Sequence, residues 1–252
     1  MPFENDREDL IEGRNAVIEA LRAGRELDKI YFARGETDRA LGHIEARARE
    51  AGVPVVRTDR RKLDQLSANP EKAHQGVIAV AAVREYCALS DILARAREKN
   101  EAPFVIVCDA ISDPHNLGAI LRSAECSGAH GVVIPKRRSA GVTGIVEKTS
   151  AGAAEHVLVA RVPNLTAALR ELKEAGLWVF GAAAGAEKTL WETDLTGPAA
   201  LVIGSEGSGI SRLVAEQCDF TVSIPLRGRI NSLNASVAAG LLMYEVLRQR
   251  TI

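Results

Sequence analysis

LVIGSEGSGIS, Leu201 to Ser211, decides how the second half of this chain is read. Apolar residues up to Ile203 make a short buried strand, glycines at 204, 207 and 209 make a loop, and a helical stretch begins at Ile210. In a parallel α/β sheet such a strand exit is where ligands bind. Two familiar phosphate-binding readings fail on it. Ile210 stands where a P-loop requires lysine, and the glycine order GxxGxG is not the dinucleotide order GxGxxG. The loop also follows the fifth strand of its domain rather than opening it. A tight turn needs no carboxylate, so Glu206 marks this loop as more than a connector.

Two further exits share this form. Asp109 to Arg122 leaves a strand at Cys108 and enters a helix through Asp113-Pro114-His115-Asn116, and Ser223 to Ser236 turns at Gly228 before the last helix. Asn116 is well placed to cap its helix, and Ser232 or Asn231 to cap the last one. Gly118 and Arg122 are four apart and share a face, the missing side chain leaving room for the guanidinium or for a ligand. Arg122 offers a planar fork suited to phosphate. Asn234, on a helix crowded with Ala and Leu, needs polar partners. Together the three exits supply Asn116, Arg122, Glu206, Ser232 and Asn234 to one composite site.

Outward from these loops the pattern is regular. Strands are expected at Phe104 to Cys108, Gly131 to Ile134, His156 to Ala160, Leu177 to Gly181, Ala200 to Ile203 and Phe220 to Ile224, with helices between most of them and a last helix from Leu233 to Arg248. This alternation predicts an α/β fold with a mainly parallel sheet covered on both faces. Upstream, a helix over Asp9 to Ala23, strands at Lys29 to Arg34 and Val53 to Val56, a helix over Arg39 to Ala51, a helical turn at Arg60 to Leu66 and a central strand at Gly76 to Val83 make a small α/β unit. The expected division is a first domain over 1–87, a connection over 88–102 and a second domain over 103–252. The connection reads equally as a loose tether or a docked helix.

Composition narrows the function. The chain has 252 residues and a net charge of −1, from 32 Lys plus Arg against 33 Asp plus Glu, which excludes nucleic-acid binding driven by overall positive charge. Local basic runs remain at Arg57, Arg60, Arg61 and Lys62 and at Lys136, Arg137 and Arg138. The four cysteines form no CxxC pair and have no His at metal spacing, so no metal site or disulfide framework is expected. No run of about 18 apolar residues suggests a membrane span, and the acidic start is unlike a signal peptide, so the cytoplasm is the expected compartment.

Taken together, DPHNLGAILRSA (Asp113 to Ala124), LVIGSEGSGIS and SIPLRGRINSLNASVAAG (Ser223 to Gly240) resemble, in order and spacing, the three motifs of the SpoU/TrmH branch of the SPOUT methyltransferases. EGRNAVIEAL (Glu12 to Leu21) and HQGVIAV (His74 to Val80) resemble the substrate-binding domain that precedes the catalytic one in many members. The resemblance implies a carboxy-terminal SPOUT domain with a deep trefoil knot and an S-adenosylmethionine-dependent RNA 2′-O-methyltransferase acting as a homodimer. A guanosine of 23S rRNA, free or in an assembling large subunit, is the implied target. Gly204, Ile224, Leu226 and Leu233 are implied to hold the methyl donor, and Asn116, Arg122, Glu206, Ser232 and Asn234 to form the catalytic set. Arg14, Asn15, Arg60, Arg61, Lys136, Arg137 and Arg138 are the expected RNA contacts. The alternatives are a tRNA methyltransferase and a non-catalytic RNA-binding or ribosome-assembly protein.

Overall fold

The computed structural model describes residues 10–35, 38–67, 74–82 and 85–251. Two compact units emerge: Met1–Glu85 with Gly141–Ile145, and Tyr86–Ala140 with Val146–Ile252.

In the first unit β1 (Leu10–Glu12), β2 (Leu27–Ala33), β3 (Val55–Thr58) and β4 (Val77–Ala81) form a sheet of order β1-β4-β2-β3. β4 lies between β1 and β2 and runs antiparallel to both, whereas β3 is parallel to β2. The expected continuation of β4 to Val83 lies outside the described residues, as does Asp9. Helices α1 (Arg14–Arg22), α2 (Arg39–Glu50) and α3 (Arg60–Leu66) complete the unit. Val17, Ile30, Phe32, Ile44 and Val77 are buried together between α1, α2 and the sheet. The first helix is shorter than its apolar spacing predicts, because Leu10 and Ile11 pair with Val80 and Ala79 as strand. Gly13, at φ 90°, makes the break that a side-chain-bearing residue would resist.

The second unit contains β5 (Phe104–Cys108), β6 (Gly131–Pro135), β7 (Leu158–Val162), β8 (Trp178–Ala182), β9 (Lys188–Thr189), β10 (Ala199–Ile203) and β11 (Phe220–Ser223). Their order is β7-β6-β5-β10-β8-β11-β9, and every pairing is parallel. All five residues of β5 and of β10 are buried, as continuous apolar runs covered on two faces should be. β9 was not legible, being two polar residues with no apolar run. The helices are α4 (Leu89–Glu98), α5 (Pro114–Cys126), α6 (Gly144–Thr149, whose first two residues group with the first unit), α7 (Leu165–Glu174), α8 (Arg212–Ala215) and α9 (Ala235–Thr251). α4 occupies most of the stretch read as a connection, and Leu89, Ile92 and Leu93 join the core of this unit, so it is a docked helix.

Chain direction along the sheet reverses at β5. From there the chain steps outward through β6 to β7, and β10 later inserts on the other side of β5. The carboxyl ends of β5 and β10 therefore emerge side by side, with those of β8 and β11 next along the same edge. At the far end of the last helix, Arg250 donates to the carbonyls of Ala102, Pro103 and Gly197 and lies over the Phe104 ring. These bonds tie α9 back to the starts of β5 and β10.

Candidate active site

The first exit loop is tied to the second before any side chain reaches outward. Asp109, nearly buried, accepts from the Ser211 backbone N–H at 2.6 Å, joining residues 102 apart, and its own N–H donates to the Ile203 carbonyl. Asp109 was not singled out from the sequence, and no local pattern marks this pairing. Within the glycine loop Ser205 and Gly209 exchange two backbone hydrogen bonds, 2.8 and 3.1 Å, closing a tight ring. A Cβ on Gly204 would collide with the Gly209 carbonyl and the Ile210 nitrogen, so only glycine lets that ring close.

Helix caps differ from the sequence expectation, and the difference frees the functional amides. α5 is capped by Asp113, whose carboxylate accepts from the His115 N–H, with Pro114 in the first turn where no N–H is needed. Asn116 is therefore not the cap. At α9 neither Ser232 nor Asn231 caps. Asn234 does, its Oδ1 accepting from the N–H groups of Ser236 and Val237 and from the Ser236 hydroxyl.

Asn116, Glu206 and Asn234, one from each exit loop, meet in a single network. Oε1 of Glu206 accepts from Asn116 Nδ2 at 2.9 Å, from Asn234 Nδ2, and from the Ala235 N–H at 3.3 Å. Asn234 Nδ2 also donates to Asn116 Oδ1 at 2.9 Å. Both hydrogens of that amide are thereby used, and its oxygen is used by the cap. The three loops consequently hold one another through a carboxylate that stays solvent-exposed.

Beside this network opens a cavity of about 500 Å³, a volume typical of sites for small organic ligands. Its wall includes Gly204, Glu206, Ile224, Leu226, Ser232 and Leu233, so the four expected cofactor residues lie on one surface with two of the expected catalytic ones. Ala182, Ala183 and Ala184 at the exit of β8 add a wall of small residues. Apolar side chains with exposed peptide groups suit a molecule carrying a flat heterocycle and polar edges. Such a lining fits S-adenosylmethionine on size and chemistry.

Other expected residues are not drawn into this cluster. Arg122, on the exposed face of α5, has no hydrogen bond or ion pair among the described residues. Gly118 does not make room for it: a Cβ there would lie 2.7 Å from Thr149 Cβ and 3.0 Å from the Val146 carbonyl, so the glycine admits the close approach of residues 146–150. Lys136, Arg137 and Arg138 follow β6 directly, and the two arginines are exposed. In the first unit Arg14 is committed to structure, pairing with Asp38 at 2.7 Å and donating to the Gln75 carbonyl. Asn15 and Arg61 are exposed, as is Arg60 at the start of α3.

Two ionisable residues lie on the cavity wall, Cys218 and Glu206. Burial pushes the Cys218 thiol up to about 11, with the Asp219 charge adding to it, and the thiol points at the Val214 carbonyl. It is a neutral thiol at physiological pH. Glu206 is the remaining ionisable group.

Residues 103–244 match the SpoU rRNA Methylase family, and residues 10–87 match the family described as RNA 2′-O ribose methyltransferase substrate binding. A Bacillus subtilis (strain 168) protein named "Putative TrmH family tRNA/rRNA methyltransferase YacO" is 48% identical over 246 residues, covering 98% of each chain. Among solved structures, the SpoU methyltransferase AviRb from Streptomyces viridochromogenes, in complex with the cofactor AdoMet, is 27% identical with a TM-score of 0.58, covering 96% of this chain and 90% of that one. A crystal structure of an RNA 2′-O ribose methyltransferase is 29% identical with a TM-score of 0.55, covering 96% and 89%.

Proposed function

This chain belongs to the SpoU rRNA methylase family, and from that premise we propose that it methylates the ribose 2′-hydroxyl of a guanosine in 23S rRNA, using S-adenosylmethionine. The observation that carries the reading is the Asn116–Glu206–Asn234 network at the rim of the 500 Å³ cavity. A protein that only bound RNA would need neither part.

When bound, S-adenosylmethionine supplies a methyl group on a positively charged sulfur. Gly204, Ile224, Leu226 and Leu233 would hold it, the first by leaving backbone exposed and the others by apolar contact. What the chain must contribute is alignment, since a methyl displacement depends on holding the attacking oxygen in line with the bond that breaks. Asn116 keeps one amide hydrogen beyond its bond to Glu206 and can orient the ribose. Ser232, exposed on the cavity wall, would shape the target-nucleotide pocket together with Asn234. Arg122 cannot serve as a base, because a guanidinium stays protonated. Its role is to grip the adjacent phosphate and stabilise negative charge growing on the oxygen.

The first unit would hold the RNA through Asn15, Arg60 and Arg61, with Lys136 to Arg138 adding phosphate contacts near the reacting ribose; Arg14 would serve by keeping α1 and α2 together. Residues 1–87 would be the substrate-binding domain and 103–252 the methyltransferase domain, with α4 added to the latter's core and Gly141–Ile145 grouped with the former, and with the knotted last segment of the family. A homodimer is part of the reading. Val237, Leu241 and Tyr244 stand half-exposed at helical spacing on α9, flanking a groove of about 400 Å³ against Ala119 and Ser123, an apolar stripe suited to a second copy.

Nucleotide-resolution mapping of 2′-O-methylation in rRNA and tRNA, from cells with and without this protein, tests the assignment. Loss at one guanosine of 23S rRNA is expected. Loss at a tRNA position alone would overturn the rRNA target in favour of tRNA, the other substrate class in the name of the Bacillus subtilis relative.

A further inference from the structure

We infer that Glu206 is the proton acceptor of the reaction, its Oε2 taking the proton of the attacking ribose hydroxyl. The inference rests on the proposed methyl transfer and assigns the step that reading leaves open.

The geometry divides the carboxylate into two unequal halves. Oε1 receives three donors, Asn116 Nδ2, Asn234 Nδ2 and the Ala235 N–H, and so cannot readily take a fourth. Oε2 receives none among the described residues, while the side chain lies on the cavity wall. Here the network clamps one oxygen, fixes the rotation of the group and leaves the other presented to an incoming hydroxyl. The side chain is exposed to water, which gives the proton a way out.

Elimination leads to the same atom. Residues lining the cavity include two ionisable ones, Glu206 and Cys218. Cys218 holds its proton and directs it at the Val214 carbonyl. The two carboxylates of the first loop are occupied elsewhere: Asp109 is buried and engaged by the Ser211 N–H, and Asp113 accepts from the His115 N–H as the cap of α5. Arg122 is cationic throughout the physiological range. The task needs no strong base, because a hydroxyl becomes strongly acidic as its oxygen acquires the methyl group. The O2′–carbon bond forms as the carbon–sulfur bond breaks, that bonding pair goes to sulfur, and the hydroxyl proton passes to Oε2 and then to water.

Glu206→Gln isolates this role. The amide oxygen can still accept from Asn116, Asn234 and Ala235, while the free position becomes an NH₂ group that cannot take a proton. The substrate is a transcript carrying the nucleotide that methylation mapping identifies. Turnover is expected to fall by roughly 10²- to 10⁴-fold, with the KM for S-adenosylmethionine within about threefold of wild type because the isosteric amide keeps the shape of the cavity wall. Wild-type kcat is expected to be flat from pH 6 to 9, and the residual rate of Glu206→Gln to rise about tenfold per unit as hydroxide takes over. A second readout needs no turnover. With S-adenosylhomocysteine bound, wild type should prefer the ribose transcript to one with a 2′-deoxy target by about tenfold, and Glu206→Gln by about threefold, since a neutral hydrogen bond is roughly half as strong. Turnover of Glu206→Gln within threefold of wild type, or a wild-type rate that itself climbs tenfold per unit to pH 9, overturns the assignment. A wild-type protein that methylates no rRNA or tRNA overturns the underlying function, and this inference with it.

Discussion

Replacing Gly204 by alanine should damage the methyl-donor site more than any other single-methyl change in the glycine loop. The added Cβ would meet the carbonyl of Gly209 and the nitrogen of Ile210 well inside 3.0 Å, a separation real Cβ atoms essentially never show. Both partners are backbone, so no rotamer change relieves the clash. The ring closed by Ser205 and Gly209 must open by about 1 Å to accommodate it, a distortion of the kind that costs about 1–3 kcal/mol. For a unit of this size that is roughly 2–12 °C in melting temperature. Because Gly204, Ser205 and Gly209 are wall residues of the cavity, the same displacement should weaken S-adenosylhomocysteine binding tenfold or more by titration calorimetry. Gly207→Ala supplies the control. Its Cβ would enter open space without a left-handed backbone, so its stability should stay within about 0.5 kcal/mol of wild type and its ligand affinity unchanged. If Gly204→Ala and Gly207→Ala bind the ligand equally and melt together, the loop is not the rigid wall described above.

Asn234→Ala should destabilise the protein more than Asn116→Ala in chemical denaturation, because it removes the α9 cap, worth about 0.5–2 kcal/mol, as well as the Glu206 bond; equal losses would refute the cap. Arg122→Lys keeps the charge but not the fork, and should lose at least about tenfold in turnover at unchanged stability; near-normal turnover would remove any specific need for the guanidinium. Arg61→Ala should reduce the slope of log affinity for the rRNA transcript against log salt by roughly 0.7–0.9, and an unchanged slope would take Arg61 off the RNA surface. The Arg248 guanidinium beside Glu245 holds that carboxyl below its usual range. A depressed folded value stabilises above the unfolded value and is lost as pH falls through it, so the melting-temperature gap between wild type and Glu245→Gln should be full at pH 6–7 and shrink below about pH 4. A gap constant from pH 7 to 3 would contradict the pairing.

How much of this was legible follows from where each signal resides. The parallel sheet was readable because buried two-faced strands such as FVIVC and AALVI are continuous apolar runs, and the exit loops because glycine and asparagine punctuate them. Cap assignments failed where several cap-competent residues stand close together. Asp113 and Asn116 are both suitable, and the proline after Asp113 favours the former, since it fits the first turn of a helix. The start of α1 failed because Leu10 serves helix periodicity and strand pairing equally, and only β4 decides between them. The bond from Ser211 to Asp109 is not readable at all, because a backbone donor carries no sequence identity and its partner is 102 residues away.

The cap at Asn234 has a further consequence for how the site is assembled. One amide uses its oxygen to start α9 and its nitrogen to bind Asn116 and Glu206, so the last helix and the carboxylate cannot be ordered independently. α9 packs along α5, which carries Asn116 and Arg122, and its far end is latched by Arg250 to the carbonyls before β5 and β10. Two of the three donors to Glu206 therefore belong to the start of a helix whose cap stands 28 residues later in the chain and which is fixed at both ends. Loosening α9 at Arg250 should accordingly disturb the orientation of Glu206 and, because Glu206, Ala235 and Ala238 all line the cavity, weaken methyl-donor binding with it, so the geometry of the carboxylate and the shape of the cavity are set by the same helix.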